Sequence, residues 1–145
     1  YSWEVSQIDS KMDISLLGPV VPFGILKQDD PVVRNTAARL ERLLACDKAG
    51  GLMRYEDDHY AGGNPWLIAT LWMAMYHLET GEVKKAEEYL NWSIRCRTHL
   101  DLLPEQADRN DGRPAWVIPL TWSHAMFILV LRRFLDHGGL LSGTP

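Results

Sequence analysis

"PWLIATLWMAMYHLETGEVKKAEEYLNWSIRCRTHL", residues 65–100, joins two segments of opposite character across a short "TGE" turn. The first, from Pro65 to Glu79, is apolar nearly all round and is interrupted mainly by Thr70 and His77. A helix with that pattern has to be enclosed on most sides. Pro65 suits its start, since proline is tolerated at the first helical position. The second segment is amphipathic. Val83, Ala86, Leu90 and Ile94 fall on one stripe, and Lys84, Lys85, Glu87 and Glu88 fall on the other side. An enclosed helix is thus followed at once by a surface helix.

The same alternation runs through the rest of the chain. "DDPVVRNTAARLERLLAC", residues 29–46, opens with Asp30 as an N-cap and Pro31 at the first helical position. Val33, Ala37, Leu40 and Leu44 form its inner stripe, with Arg34, Arg39, Glu41 and Arg42 elsewhere. "LTWSHAMFILVLRRFLDHGG", residues 120–139, is apolar around most of its circumference and stops at a glycine pair. Strand signals are weak. The order surface, enclosed, surface, enclosed predicts an all-α fold in concentric layers, with inner helices wrapped by outer ones.

Both links from a surface helix to an enclosed helix are long, residues 47–64 and 101–120. In an antiparallel arrangement they emerge at one end, where the enclosed helices begin. Loops that carry function gather on one face of a rigid scaffold, and helix N-termini there favour anions and polar oxygens. The two links are therefore expected to be neighbours in space.

Bulk composition narrows the function classes. With 145 residues the chain fits one domain with a real core. A formal charge of −4 argues against a nucleic-acid surface. No long uncharged apolar run offers a membrane span. Cys46 and Cys96 are not spaced as zinc ligands, so buried thiols are expected and a disulfide stays open. The chain opens on Tyr1 without a signal-peptide pattern, which leaves the compartment open with the cytoplasm as the default expectation. The five histidines have no metal-protease spacing, and "DRNDG" lacks the alternating acids of a calcium loop, so no metal and no cofactor are expected.

The two links concentrate the chemistry. In "RYEDDHYAGGNPW", residues 54–66, Arg54 can fork onto two oxygens, and Asp58 can accept from hydroxyls or orient the arginine. Tyr55, Tyr60 and Trp66 add flat faces with polar tips. Hydrogen-bonding charges beside aromatic platforms suit a carbohydrate, though a glycine turn with surface charges would read the same way. In "LLPEQADRNDG", residues 102–112, Glu105 could act as a general base with Gln106 beside it. Alternatively Glu105 sits in the first turn of a short helix after Pro104, where a carboxylate is favoured anyway. Ser123 and His124 are adjacent on a helix and do not face each other, which disfavours a serine nucleophile.

Taken in order, "GGLMRYEDDHYAGGNPWLIATLWMAMYHLETGE" (50–82), "LLPEQAD" (102–108) and "PLTWSHAMFILVL" (119–131) resemble the C-terminal part of glycoside hydrolase family 15, the glucoamylases, glucodextranases and some prokaryotic trehalases. The similarity begins at about "DISLLGPVVPFGIL" (13–26). It implies part of an (α/α)6 barrel with the active site at the N-terminal ends of the inner helices. It implies an inverting glucosidase acting on an α-glucan, an isomalto-oligosaccharide or a trehalose-type substrate. Glu105 matches the general base and Gln106 its neighbour. Arg54 and Asp58 match residues that hold glucose hydroxyls, Tyr55, Tyr60 and Trp66 shape the pocket, and Trp122 with the nearby "SHA" (123–125) matches the start of the last inner helix, beneath the site.

The general acid of the family lies well upstream of the matched segment. Glu4 in "SWEV" stands too close to Asp13 to be that acid. A six-hairpin barrel also needs about twice the helices read in this chain. Residues 1–145 are therefore expected to be the C-terminal portion of a catalytic domain whose N-terminal part is missing, carrying the base but lacking the acid and inactive when isolated. Half a toroid exposes inner-helix faces, so self-association is expected. Glucoamylase-like domains also occur in regulatory subunits of phosphorylase kinase, and the alternative is a non-catalytic module binding glycan or a partner protein.

Overall fold

The computed structural model describes residues 10–138. Glu4 and the Ser2–Val5 stretch lie outside the described residues. Four helices dominate: α1 Pro31–Leu44, α2 Leu67–Glu79, α3 Val83–Arg95 and α4 Thr121–Asp136. A short 3-10 turn at Ile14–Leu17 precedes them. Helix α1 starts as its sequence dictates. The Asp30 carboxylate accepts the Val32 N–H at 2.8 Å, and Val33, Ala37, Leu40 and Leu44 form its buried stripe.

Helix α2 is the centre of the molecule and packs against both α3 and α4. Every residue from Leu67 to Leu78 is buried. Pro65 stands two residues ahead of it rather than at its first position, because Trp66 is held extended as the cap and donates its N–H to Leu52 O at 2.8 Å. The two polar interruptions are structural ties. Thr70 Oγ1 accepts the Leu52 N–H and donates to Trp66 O, both at 2.9 Å. His77 faces Glu82 Oε2 at 2.7 Å and Glu41 Oε1 at 3.0 Å, linking α2 to α1 and to the start of α3.

Two expectations about helix faces are corrected. On α3, Ala86 and Leu90 are buried, but Ile94 is half-buried and Trp92 and Ser93 take the inner positions. The cause is a close nesting of the Trp92 indole on Gly50 and Gly51, with its N–H donated to Ala49 O at 2.7 Å. A Cβ on Gly51 would sit 2.4 Å from that ring, and Gly51 has a φ of +73°. On α4, only Ser123, Met126, Val130 and Phe134 are buried. Its apolar circumference is not enclosed: Ile128 is 64% exposed and Leu135 51% exposed, because α2 and α3 cover one side of the helix only.

The long links are organised by backbone pairing too brief to leave a periodic trace in sequence. Strand β1 (Gln106–Ala107) pairs antiparallel with β2 (Pro114–Ala115). Single bridges join Ala45 to Leu52, Leu52 to Trp66, Trp66 to Gln106, and Asp13 to Tyr55. These pairings thread both links past the N-terminus of α2. The thiols of Cys46 and Cys96 are free, and burial pushes Cys96 up to about 12. Among the described residues no helix is long and apolar enough to cross a membrane.

Candidate functional site

Where the two links meet the start of α2, a cavity of about 410 Å³ opens. Four of the sequence-nominated residues line it: Arg54, Trp66, Glu105 and Trp122. They come from the two links and the start of α4, so the pairing of the links is what assembles the cavity.

Glu105 is not in a helix. No helical turn follows Pro104, and the residue instead leads directly into β1. Its N–H donates to Val117 O at 2.9 Å, and its carbonyl accepts the Leu67 N–H, the first amide of α2, at 3.1 Å. Helix α2 has no side-chain cap, so this carbonyl satisfies one of its orphan donors. The backbone of Glu105 is thereby locked to the helix start while its carboxyl faces the cavity wall. Carboxyl oxygen Oε2 is buried and has no partner among the described residues. Burial raises the Glu105 pKa above the usual carboxylate value, and the Arg54 charge opposes that rise.

Arg54 reaches the cavity beneath two rings, with its guanidinium 5.6 Å from the Tyr55 ring centroid and 5.3 Å from that of Trp66. Both distances suit cation–π attraction. The Arg54 carbonyl accepts the Ile14 N–H at 2.9 Å, which ties the 3-10 turn to the arginine. Asp58, Tyr55, Tyr60 and Gln106 lie outside the lining. Asp58 is 2% exposed, its Oδ1 accepts the Tyr60 N–H at 2.8 Å, and its Oδ2 is buried without a partner among the described residues. The Asp58 charge pushes the Tyr55 phenol up from its ordinary value. Gln106 is fully buried, with Oε1 accepting from Asn64 Nδ2 at 3.2 Å. Tyr60 stands at the rim, 6.1 Å from Trp66 and 5.6 Å from Trp116, whose indole N–H donates to its hydroxyl at 3.0 Å.

The lining also includes Asp13, Ser15 and Trp72, which sequence reasoning did not nominate. Asp13 caps the 3-10 turn by accepting the Ser15 N–H at 2.8 Å, and its bridge to Tyr55 brings it beside Arg54. Trp72 was concealed in a run that reads as core. It meets Trp122 edge-on at 6.4 Å. The Asp13–Ser15 spacing carried a cap signal that would have flagged the turn; nothing in the apolar run distinguished Trp72.

Aromatic walls, a forked cation and a half-buried carboxyl around one opening can orient a polyhydroxylated ligand and take a proton from water. Comparison with known proteins finds glycosyl hydrolases among the relatives of this chain. An uncharacterized glycosyl hydrolase of Methanocaldococcus jannaschii is 32% identical over 142 residues, 89% of this chain and 23% of that protein. Isomaltose glucohydrolase of Kribbella flavida is 31% identical over 143 residues, 91% of this chain and 36% of that protein. This chain is a homologue of glucoamylase- and trehalase-type glycosyl hydrolases. No family model matches the chain.

The solved structure of a bacterial glucoamylase complexed with acarbose superposes with a TM-score of 0.80, at 24% identity, over 91% of this chain and 21% of that one. The helices of this glucoamylase-like chain are therefore part of an (α/α)6 barrel. The chain spans about a third or less of the length of these proteins.

Proposed function

We propose that residues 1–145 are the C-terminal portion of an (α/α)6 catalytic domain that hydrolyses α-glucosidic bonds with inversion. Glu105 is the general base. Its carboxylate accepts a proton from the water that attacks the anomeric carbon. In an inverting site the acid and base carboxyls stand about 6.5–9.5 Å apart so that this water fits between sugar and base. The acid comes from residues outside this chain. Arg54 holds sugar hydroxyls through its fork, with Tyr55 and Trp66 fixing the guanidinium. Asp58, Gln106 and Tyr60 shape and support the wall behind them, and Trp122 meets Trp72 edge-on to complete the aromatic side of the cavity. The substrate is an α-glucan, an isomalto-oligosaccharide or a trehalose-type glucoside.

The observation that carries this reading is the cavity shared by Glu105 and Arg54, with one carboxyl oxygen of Glu105 unpartnered among the described residues. A pKa raised by burial favours it too, since a base works best when its pKa moves toward the working pH. A non-catalytic glycan-binding module needs neither feature. In the full-length polypeptide carrying this sequence, Glu105→Gln is expected to lower glucose release by about 10³-fold or more while the fold survives, the order seen when an essential acid–base group is lost. Near-normal hydrolysis by that variant removes Glu105 from the mechanism.

A further inference from the structure

The loop that carries Glu105 is fastened to α4 by a three-point clamp. Leu120 donates its N–H to Leu103 O at 3.1 Å. Ser123 Oγ donates to Pro104 O at 2.7 Å, and Ser123 is fully buried. Leu103 donates its N–H to His124 Nε2 at 3.1 Å. The other ring nitrogen, Nδ1, lies 2.9 Å from Leu120 O.

These partners fix the state of the imidazole. A backbone N–H can only donate, so Nε2 must accept; a carbonyl can only accept, so Nδ1 must carry the proton. His124 is therefore held as the neutral Nδ1–H tautomer, bonded at both nitrogens. Its acceptor is matched to Leu103, two residues before Glu105, while Ser123 holds the carbonyl of Pro104, the residue directly before it. Neither side chain belongs to the cavity lining. Adjacent residues on α4 point in different directions, and the loop wraps the helix start so that both can grip it.

We infer that Ser123 and His124 are positioning residues for Glu105: their paired hydrogen bonds to the Leu103–Pro104 backbone set where the carboxylate stands relative to the attacking water. The inference rests on Glu105 being the general base. Its energetic logic is that of orientation, in which a misplacement of about 1 Å costs on the order of 10²-fold in rate without loss of binding groups. Removing the histidine acceptor frees the loop on one side and leaves Arg54, Trp66 and Trp122 in place to hold the sugar.

The test has an activity-independent arm and a kinetic arm, both on the full-length polypeptide. Long-range nitrogen-15 NMR of the native protein is expected to show the Nδ1–H tautomer of His124 and a protected Leu103 amide, with exchange at least roughly tenfold faster in His124→Ala. In kinetics, His124→Ala and Ser123→Ala are expected to lower kcat by about 10- to 100-fold with KM changed less than about threefold. His124→Gln keeps an amide oxygen near the Nε2 position, and it is expected to recover most of kcat and the Leu103 protection. An Nε2–H tautomer, or an unprotected Leu103 amide in the native protein, overturns the clamp. A dead Glu105→Gln variant beside a fully active His124→Ala variant overturns the positioning role alone. Activity in Glu105→Gln overturns the reading of Glu105 as base, and the positioning role falls with it.

Discussion

Thr70→Val is the sharpest test of how the site is held to the core. Thr70 is fully buried on α2, and its hydroxyl is the partner of the Leu52 N–H at 2.9 Å. Valine has nearly the same shape, so no cavity opens and the effect isolates the hydroxyl. Trp66 O loses one donor but keeps the Thr70 N–H at 3.1 Å, so that end contributes little. Leu52 is 1% exposed, and its amide becomes an unpaired buried donor. Such a group costs about 1–3 kcal/mol, the upper part of the range applying where water cannot enter. At this chain length the melting temperature should fall by roughly 3–10 °C.

Urea unfolding reports the free energy, and hydrogen exchange at the Leu52 amide reports the site. The amide should lose protection in Thr70→Val and keep it in Thr70→Ser, which retains the hydroxyl. Leu52 is bridged to Trp66 and lies two residues before Arg54, so the same substitution should disturb the cavity. Stability within about 0.3 kcal/mol of the native protein, with Leu52 still protected, would refute the reasoning.

Two further outcomes follow from other parts of the molecule. Glu41 is held down to about 2, chiefly by its bond to His77 and further by that from the Tyr89 hydroxyl, against the opposing effect of burial. A depressed carboxylate stabilises above its unfolded value and loses that contribution as pH falls through its folded one. Acid unfolding between about pH 4.5 and 2 should therefore be shallower in Glu41→Gln than in the native protein, and identical slopes would exclude this network from acid stability. The uncovered side of α4 presents Ile128, Leu129 and Leu135, each half-exposed or more. Sedimentation of the isolated chain should reveal self-association that Ile128→Glu with Leu135→Lys abolishes; a native monomer at high concentration would contradict it.

The inner stripe of α1 was legible residue by residue, because Asp30, Pro31 and the spacing of Val33, Ala37, Leu40 and Leu44 are local signals. The enclosure of α2 was legible for the same reason. The face of α4 was not: apolar content reports what a helix can bury, whereas exposure depends on which neighbours are present. Ile94 was misplaced because the grip of Trp92 on Gly50 and Gly51 joins positions more than forty residues apart in sequence. In the site, Arg54, Trp66 and Glu105 stood out by residue type, and Trp122 only through the resemblance. Asp13 and Trp72 did not, since a capping aspartate and a core-like tryptophan acquire meaning only once the single bridges have drawn the links together. The clamp of Ser123 and His124 was equally hidden, because its partners are backbone atoms.

The most direct measurement is a crystal structure of the full-length polypeptide soaked with glucose. The sugar should occupy the cavity between Trp66 and Trp122, with Arg54 on its hydroxyls and the Glu105 carboxylate one water away from the anomeric carbon. Glucose bound elsewhere, or a Glu105 carboxylate turned out of reach of that carbon, would contradict the account.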